Sequence, residues 1–125
     1  TAHRTLDPDA DHGNLYKATH KNHPSTVWVR SARAHYLWAY RHFVALCDEY
    51  TARYGKVHLT DQKLRERLAC PPDGLDVSGE WSDPPQCMPE EYQHENTVEA
   101  YRHYYRVGKA DILTYAHGPR PEWLS

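Results

Sequence analysis

The sequence has too few cysteines for a disulfide-stabilised protein and no apolar run long enough for a membrane-spanning one. Its 125 residues include three cysteines, an odd number, and no Cys-x-x-Cys pair. That spacing excludes a disulfide framework and indicates a reducing compartment. No apolar run approaches the roughly 18 residues of a membrane span, and no signal peptide is visible. We therefore expect a cytoplasmic protein with no membrane partner.

Short catalytic motifs and metal-ligand patterns are also scarce. The chain has no glycine-rich phosphate loop, no Gly-x-Ser-x-Gly and no His-Glu-x-x-His. His20 and His23 form a His-x-x-His pair, but zinc needs three or four convergent ligands. His12 or His3 would have to complete the set, with Cys47 as a remote candidate, and no spacing in the sequence indicates this. The alternative is that His23 caps a helix or lines a pocket. We favour that alternative and predict neither a metal nor a cofactor.

What the chain does contain is an unusual share of tyrosine and tryptophan. It has ten Tyr and four Trp but a single Phe, and its mean hydropathy is −0.91. Tyr and Trp can be half buried with a polar tip in water, so a lean core built from them leaves rings near the surface. The formal net charge is −2. A nucleic-acid-binding role must therefore depend on local clusters of cations.

The apolar pattern predicts a mostly α fold: a compact single-domain helical bundle, residues 1–125, around one long central helix. Between Val27 and Tyr54 apolar side chains recur at three- and four-residue steps, with no Gly or Pro. Ser25 or Thr26 would cap this helix and Gly55 would end it. The other predicted elements are a helical stretch at Ala2–Leu6, a helix at Asp61–Ala69 capped by Thr60, a proline-rich ordered loop at Pro71–Pro89, a helical turn at Pro89–Tyr92, a helix from Asn96 or Thr97 to about Val107 and an extended tail anchored by Trp123. The last helix is expected either to end at Gly108 or to be interrupted there and continue over Lys109–Ala116.

The last predicted helix carries a basic face beside tyrosines. Arg102, Arg106 and Lys109 lie at positions i, i+4 and i+7, and Tyr104 and Tyr105 flank them. Guanidinium groups bind phosphate, and tyrosine rings stack on unpaired bases. The pattern therefore predicts phosphate-binding cations beside base-stacking rings. The alternative is a solvated basic face next to a tyrosine-rich core.

The start of the long helix carries a second basic pair, Arg30 and Arg33. The helix dipole already favours anions at that end, so these two residues are also candidate phosphate ligands. The alternative is ion pairing with the acidic loop at Asp7–Asp11. The full hypothesis requires Arg30 and Arg106 to face one aromatic-lined hollow.

Among the acids, Glu49 is the best candidate for general acid–base chemistry. It lies on the long helix one turn before Arg53, so an ordinary i, i+4 ion pair is the alternative. Cys47 falls on the apolar stripe and is predicted to be an inert core thiol.

Several longer stretches resemble a family of small bacteriophage proteins, most of which have no assigned function. They are Asn22-His23-Pro24 with Trp28-x-Arg30, Ala45–Tyr50, Arg53–Lys56, Met88–Tyr92, Ala100–Lys109 and Pro121-x-Trp123-Leu124. More distantly, His23-Pro24, Trp28-x-Arg30 and Cys47-x-Glu49 resemble the pyrimidine-dimer DNA glycosylase (endonuclease V-like) family. Those enzymes are mostly helical, flip a nucleotide out of damaged DNA and cut its glycosidic bond with an N-terminal amine and a glutamate.

The resemblance implies a DNA-acting protein, with a repair or base-modification role, in the cytoplasm of an infected bacterium. It also implies that a segment carrying the amine and acid precedes Thr1. In this interpretation Glu49 would be the nearest acid, and His23, Trp28, Tyr104 and Tyr105 would line the pocket or stack on a base. Two alternatives stay open: a non-catalytic module that binds a nucleotide or a protein, as in phage counter-defence, and a structural phage component that forms a homo-oligomer.

Overall fold

The computed structural model describes residues 1–116 and 118–124, and it confirms that the chain is mostly helical. The five α-helices are α1 (Ala2–Leu6), α2 (Pro24–Val29), α3 (Arg33–Tyr54), α4 (Leu59–Leu68) and α5 (Thr97–His103). A π-helical turn (Tyr104–Gly108) extends α5, and 3-10 turns occur at Glu90–Tyr92, Ala110–Ile112 and Glu122–Leu124. Within the described ranges, no helix has the length and apolar character that a membrane span requires.

The chain divides into two compact units. The N-terminal unit covers Thr1–Ser82 and contains α1 to α4, and the C-terminal unit covers Asp83–Ser125 and contains α5 with its π turn. The boundary falls inside the proline-rich stretch that was predicted to be an ordered loop.

The predicted 28-residue central helix is wrong at its start, because the chain breaks between α2 and α3. Ala32 is extended, with φ −155° and ψ 151°, and the Arg33 amide donates to the carbonyl of Asp76 at 3.1 Å. The remaining helix, α3, has 22 residues and ends at Gly55 in the left-handed conformation, as predicted. The break matters because it folds the end of α2 back onto the first turn of α3.

Trp28 and His35 meet across that break and organise the core of the N-terminal unit. Their rings stack with centroids 4.1 Å apart and planes 9° apart. The His35 Nδ1–H donates to the Trp28 carbonyl at 2.8 Å, and its Nε2 accepts from the Ser82 amide at 3.0 Å. The Trp28 Nε1–H in turn donates to the Ser82 carbonyl at 3.0 Å. Because a carbonyl only accepts, Nδ1 must carry the ring proton, so His35 is held in one neutral tautomer.

Histidines, not the predicted Ser or Thr residues, cap α2 and α4. The Nδ1 atom of His23 accepts from the Ser25 amide at 3.1 Å, and that of His58 accepts from the Thr60 amide at 3.1 Å. The helices therefore begin two or three residues earlier than predicted. Asn96 caps α5 through the Glu99 amide at 3.1 Å, as expected.

After α5 the C-terminal unit matches one part of the prediction and departs from another. The helical run ends at Gly108 and does not continue through Lys109–Ala116, where only the 3-10 turn at Ala110–Ile112 forms. The end of the tail is not extended, since Glu122–Leu124 forms a 3-10 turn. Leu124 is its buried residue, whereas Trp123 is half-buried beneath the Arg102 guanidinium at 5.5 Å.

Candidate nucleic-acid interface

A group of rings and one ammonium forms on the π turn of the C-terminal unit. This tyrosine–lysine cluster consists of Tyr92, Tyr104, Tyr105 and Lys109. Tyr104 lies between Tyr92, with ring centroids 4.9 Å apart, and the Lys109 ammonium, 5.2 Å from its ring. The same ammonium is 6.0 Å from the Tyr105 ring, which is 40% exposed. Tyr104 is thus a supporting ring, and Tyr105 is the ring that an unpaired base can reach.

Gly108 leaves the space in which the cluster packs. A Cβ atom at this position would lie 2.7 Å from Cδ1 of Tyr104, closer than real Cβ contacts, and 3.0 Å from Cζ of Tyr92, which is an unusually tight contact. Gly108 has no positive φ, so the reason for glycine here is space and not backbone conformation. The π turn and Gly108 together bring Tyr104, Tyr105 and Lys109 into contact. A π turn inside a helix is rare and is often found at a functional site.

The three predicted phosphate ligands of this helix have different surroundings. Arg102 forms an ion pair with Glu99 at 3.3 Å. Arg106 is exposed and donates from Nη1 to the Trp123 carbonyl at 3.3 Å, which leaves most of its N–H groups facing water. Among the described residues, no ion pair involves Arg106 or Lys109. These two cations are therefore the ones available to an incoming phosphate.

Arg30 and Arg33 belong to the N-terminal unit. No ion pair joins either residue to the acidic loop within the described part of the chain, so the alternative predicted for them is not observed. The Nη1 atom of Arg30 is buried, with no hydrogen-bond partner among the described residues. Arg33 lines a small hollow that also contains Asp73. Convergence of Arg30 with Arg106 on one hollow stays a prediction.

Two residues predicted to line the pocket have structural roles instead. Trp28 is 8% exposed, stacks on His35 and makes T-shaped contacts with Trp38 and Trp81, so little of its ring is left for a base to stack on. His23 is exposed and caps α2, which was the alternative considered for it. The sequence could not separate a buried tryptophan from a stacking surface, because both fit the same helical stripe.

Glu49 forms the i, i+4 ion pair with Arg53 that was the alternative to a catalytic role. Its Oε1 accepts from Nε of Arg53 at 2.7 Å, and its side chain is 54% exposed. Cys47 is buried as predicted, and burial raises the pKa of its thiol.

Sequence reasoning missed a cavity of about 320 Å³ in the N-terminal unit. Its wall includes His3, which is 6% exposed, and Tyr36, whose Oη donates to the Leu68 carbonyl at 2.7 Å. The His3 Nε2 lies 2.8 Å from the same oxygen and must carry the proton, because that hydroxyl hydrogen is already used. Arg67 approaches the other ring nitrogen at 3.5 Å. Burial, followed by the charge of Arg67, lowers the pKa of His3 to about 4.

Neither a metal centre nor a known relative adds to this description. Within residues 1–116 and 118–124, no three His, Cys, Asp or Glu side chains come together as metal ligands would. No protein-family model, curated protein or solved structure matches the chain. The resemblance to phage proteins and to DNA glycosylases stays a prediction, and the candidate interface rests on geometry.

Proposed function

We propose that the protein binds nucleic acid through its C-terminal unit, with an unpaired base against Tyr105 and phosphates on Arg106 and Lys109. The observation that carries the proposal is the pairing of an exposed ring with two cations that no carboxylate neutralises in the described residues. Aromatic stacking is worth about 1–3 kcal/mol per base, and the cations add a salt-dependent attraction to the backbone.

The ligand of this surface is a single strand, not a duplex. The bases of a duplex cover each other's faces, so a surface tyrosine can stack only on an unpaired base. The C-terminal unit also contains seven Asp and Glu against four Lys and Arg. A unit with this excess of acids repels the dense charge of duplex DNA more than it repels a single strand.

The test is a binding titration of a labelled single strand at several salt concentrations. Tyr105→Ala should weaken binding about fivefold or more, since stacking is worth about 1–3 kcal/mol. Lys109→Gln should lower the slope of log affinity against log salt by about 0.7. Arg102→Gln removes the same charge from a residue already paired with Glu99, and it should change the slope less. Equal effects of the two charge variants, or tight binding that ignores salt, would refute the proposal.

A mononucleotide is the second candidate ligand, because one exposed ring and two cations are enough to hold one base and one phosphate. Thermal-shift measurements with mononucleotides separate the two ligands. A shift with mononucleotides, without binding to a longer strand, favours a nucleotide-binding module. Only the sequence resemblance supports a repair or base-modification reaction, and Glu49 would be its catalytic acid.

A further inference from the structure

A long stretch of the N-terminal unit contains no acid. From His12 to Cys47 there are 36 residues with five Lys and Arg, five His, and neither Asp nor Glu. With 17 acids in 125 residues, a stretch of this length would hold about five at the average frequency. The last part of the stretch forms the first four turns of α3, so a helix holds the charges of that part in fixed positions.

The outward side of α3 presents part of this charge on one face. At 100° per residue, Arg33 and Arg41 are 80° apart around the helix, and both are exposed. Trp38 and His42 lie on the same half of the helix, and going around it from Arg33 they come after Arg41. Their rings stack with centroids 5.3 Å apart and planes 10° apart. We call Arg33, Trp38, Arg41 and His42 the α3 face.

The acids closest in sequence to this face are neutralised. Asp48 accepts from Arg65 at 2.8 Å, and Glu49 accepts from Arg53 at 2.7 Å. No ion pair in the described residues involves Arg33 or Arg41. The acids nearest the Arg33 end belong to the loop that follows α4: Asp73 shares the small hollow with Arg33, and the carboxylate of Asp76 accepts from Ser78. The positive potential of the face should therefore be strongest around Arg41.

We infer that the α3 face is a second contact surface for a phosphodiester backbone, separate from the tyrosine–lysine cluster. Arg33 and Arg41 bind phosphates, and the stacked Trp38–His42 pair offers a ring edge to a neighbouring base. The identity of the anion rests on the proposed function. The existence of an anion-binding face rests on the charge pattern of α3 alone.

The experiment compares two variants that remove the same charge from the same helix. Arg41→Gln acts on the α3 face, and Arg53→Gln acts on an arginine already paired with Glu49. In salt titrations with a labelled oligothymidylate, Arg41→Gln should lower the slope by about 0.7 for its lost phosphate contact. Its affinity should fall several-fold. Arg53→Gln should leave both within error of the parent protein. Identical behaviour of the two variants overturns the inference.

Inorganic polyphosphate, which has the repeating charge but no bases, separates this inference from the proposed function. Weaker polyphosphate binding by Arg41→Gln, with no effect of Tyr105→Ala on the oligothymidylate, supports the α3 face and refutes the proposed function. If Tyr105→Ala weakens binding of the oligothymidylate and Arg41→Gln weakens binding of neither ligand, the proposed function is supported and the α3 face is refuted. Failure of the parent protein to bind either ligand overturns both. Circular dichroism of each variant shows whether the helices are kept.

Discussion

Two aromatic side chains, one in each unit of the chain, have opposite surroundings. In the N-terminal unit, Trp28 is buried, its ring stacks on His35, and its Nε1–H donates to the Ser82 carbonyl. In the C-terminal unit, Tyr105 stays exposed beside Lys109, and the ring of Tyr104 supports it. Trp28 thus belongs to the core of its unit, and Tyr105 belongs to the proposed contact surface of the other. The difference lies in what surrounds each ring, since Trp28 packs against other rings and Tyr105 lies beside an ammonium and water.

Replacing Trp28 with alanine should have the largest effect, because it empties the centre of the N-terminal core. Loss of a buried tryptophan costs about 3–5 kcal/mol of the free energy of unfolding. Trp81→Ala is the control, since Trp81 touches the same rings but is 47% exposed, and it should cost clearly less. Urea unfolding of both variants measures the difference. Equal costs would mean that Trp28 is not the core residue described here.

The buried His3 should make the N-terminal unit sensitive to acid. Its pKa is about 4 in the folded protein and 6.5 when unfolded, so the unfolded chain binds the extra proton between these values. The free energy of unfolding therefore falls as the pH drops below 6.5. Between pH 7 and pH 5 this residue alone accounts for about 2 kcal/mol.

The matched variant is His3→Gln, whose amide N–H can still donate to the hydroxyl of Tyr36 but cannot titrate. Urea unfolding of both proteins at pH 7 and pH 5 gives the comparison. The variant should lose about 2 kcal/mol less stability over this range than the parent protein. An equal loss in both would show that other histidines carry the acid sensitivity.

Gly108→Ala should disturb the contact surface without removing a ring or a charge. The new methyl group collides with Tyr104 and Tyr92, so the support beneath Tyr105 shifts. We expect about a fivefold loss of affinity for a single strand, equivalent to about 1 kcal/mol of stacking, with an unchanged salt slope. Gly118→Ala is the control, because nothing lies within 4 Å of its added Cβ. If Gly108→Ala changed the salt slope but caused no loss of affinity from stacking, Gly108 would not belong to the contact surface.

The helices of this fold could be predicted from the sequence wherever local pattern decides. The stripe that ends at Gly55 and the cap at Asn96 are both local signals, and both are confirmed. The break before α3 is not local. Two hydrogen bonds stabilise it. The His35 side chain donates to the Trp28 carbonyl, and the Arg33 amide donates to the carbonyl of Asp76, which lies 43 residues further along the chain.

The histidine caps show a second limit of sequence reasoning. His23 and His58 each accept from the amide two residues later, and His94 does the same for Asn96. Histidine is not among the preferred cap residues, so His23 was also considered as a metal ligand or a pocket residue, and nothing was predicted for His58 and His94. His3, His12 and His20 are likewise followed at i+2 by Thr or Asn, but no such bond forms at them in the described residues, so this spacing alone could not identify the caps. The candidate site was harder to predict, because spacing alone cannot tell the exposed Tyr105 from the packed Tyr104.

Glu49→Gln should have the smallest effect, and it tests whether the catalytic hypothesis can keep this residue. The ion pair with Arg53 lies at the surface, where such pairs are worth about 0.2–1 kcal/mol, so the free energy of unfolding should change by a few tenths of a kcal/mol. Single-strand binding should not change, because Glu49 belongs to neither candidate surface. Cleavage of damaged DNA by the parent protein and its loss in Glu49→Gln, with stability intact, would contradict this. Glu49 would then be a catalytic acid whose ion pair opens to substrate, and the N-terminal unit would carry chemistry as well as a core.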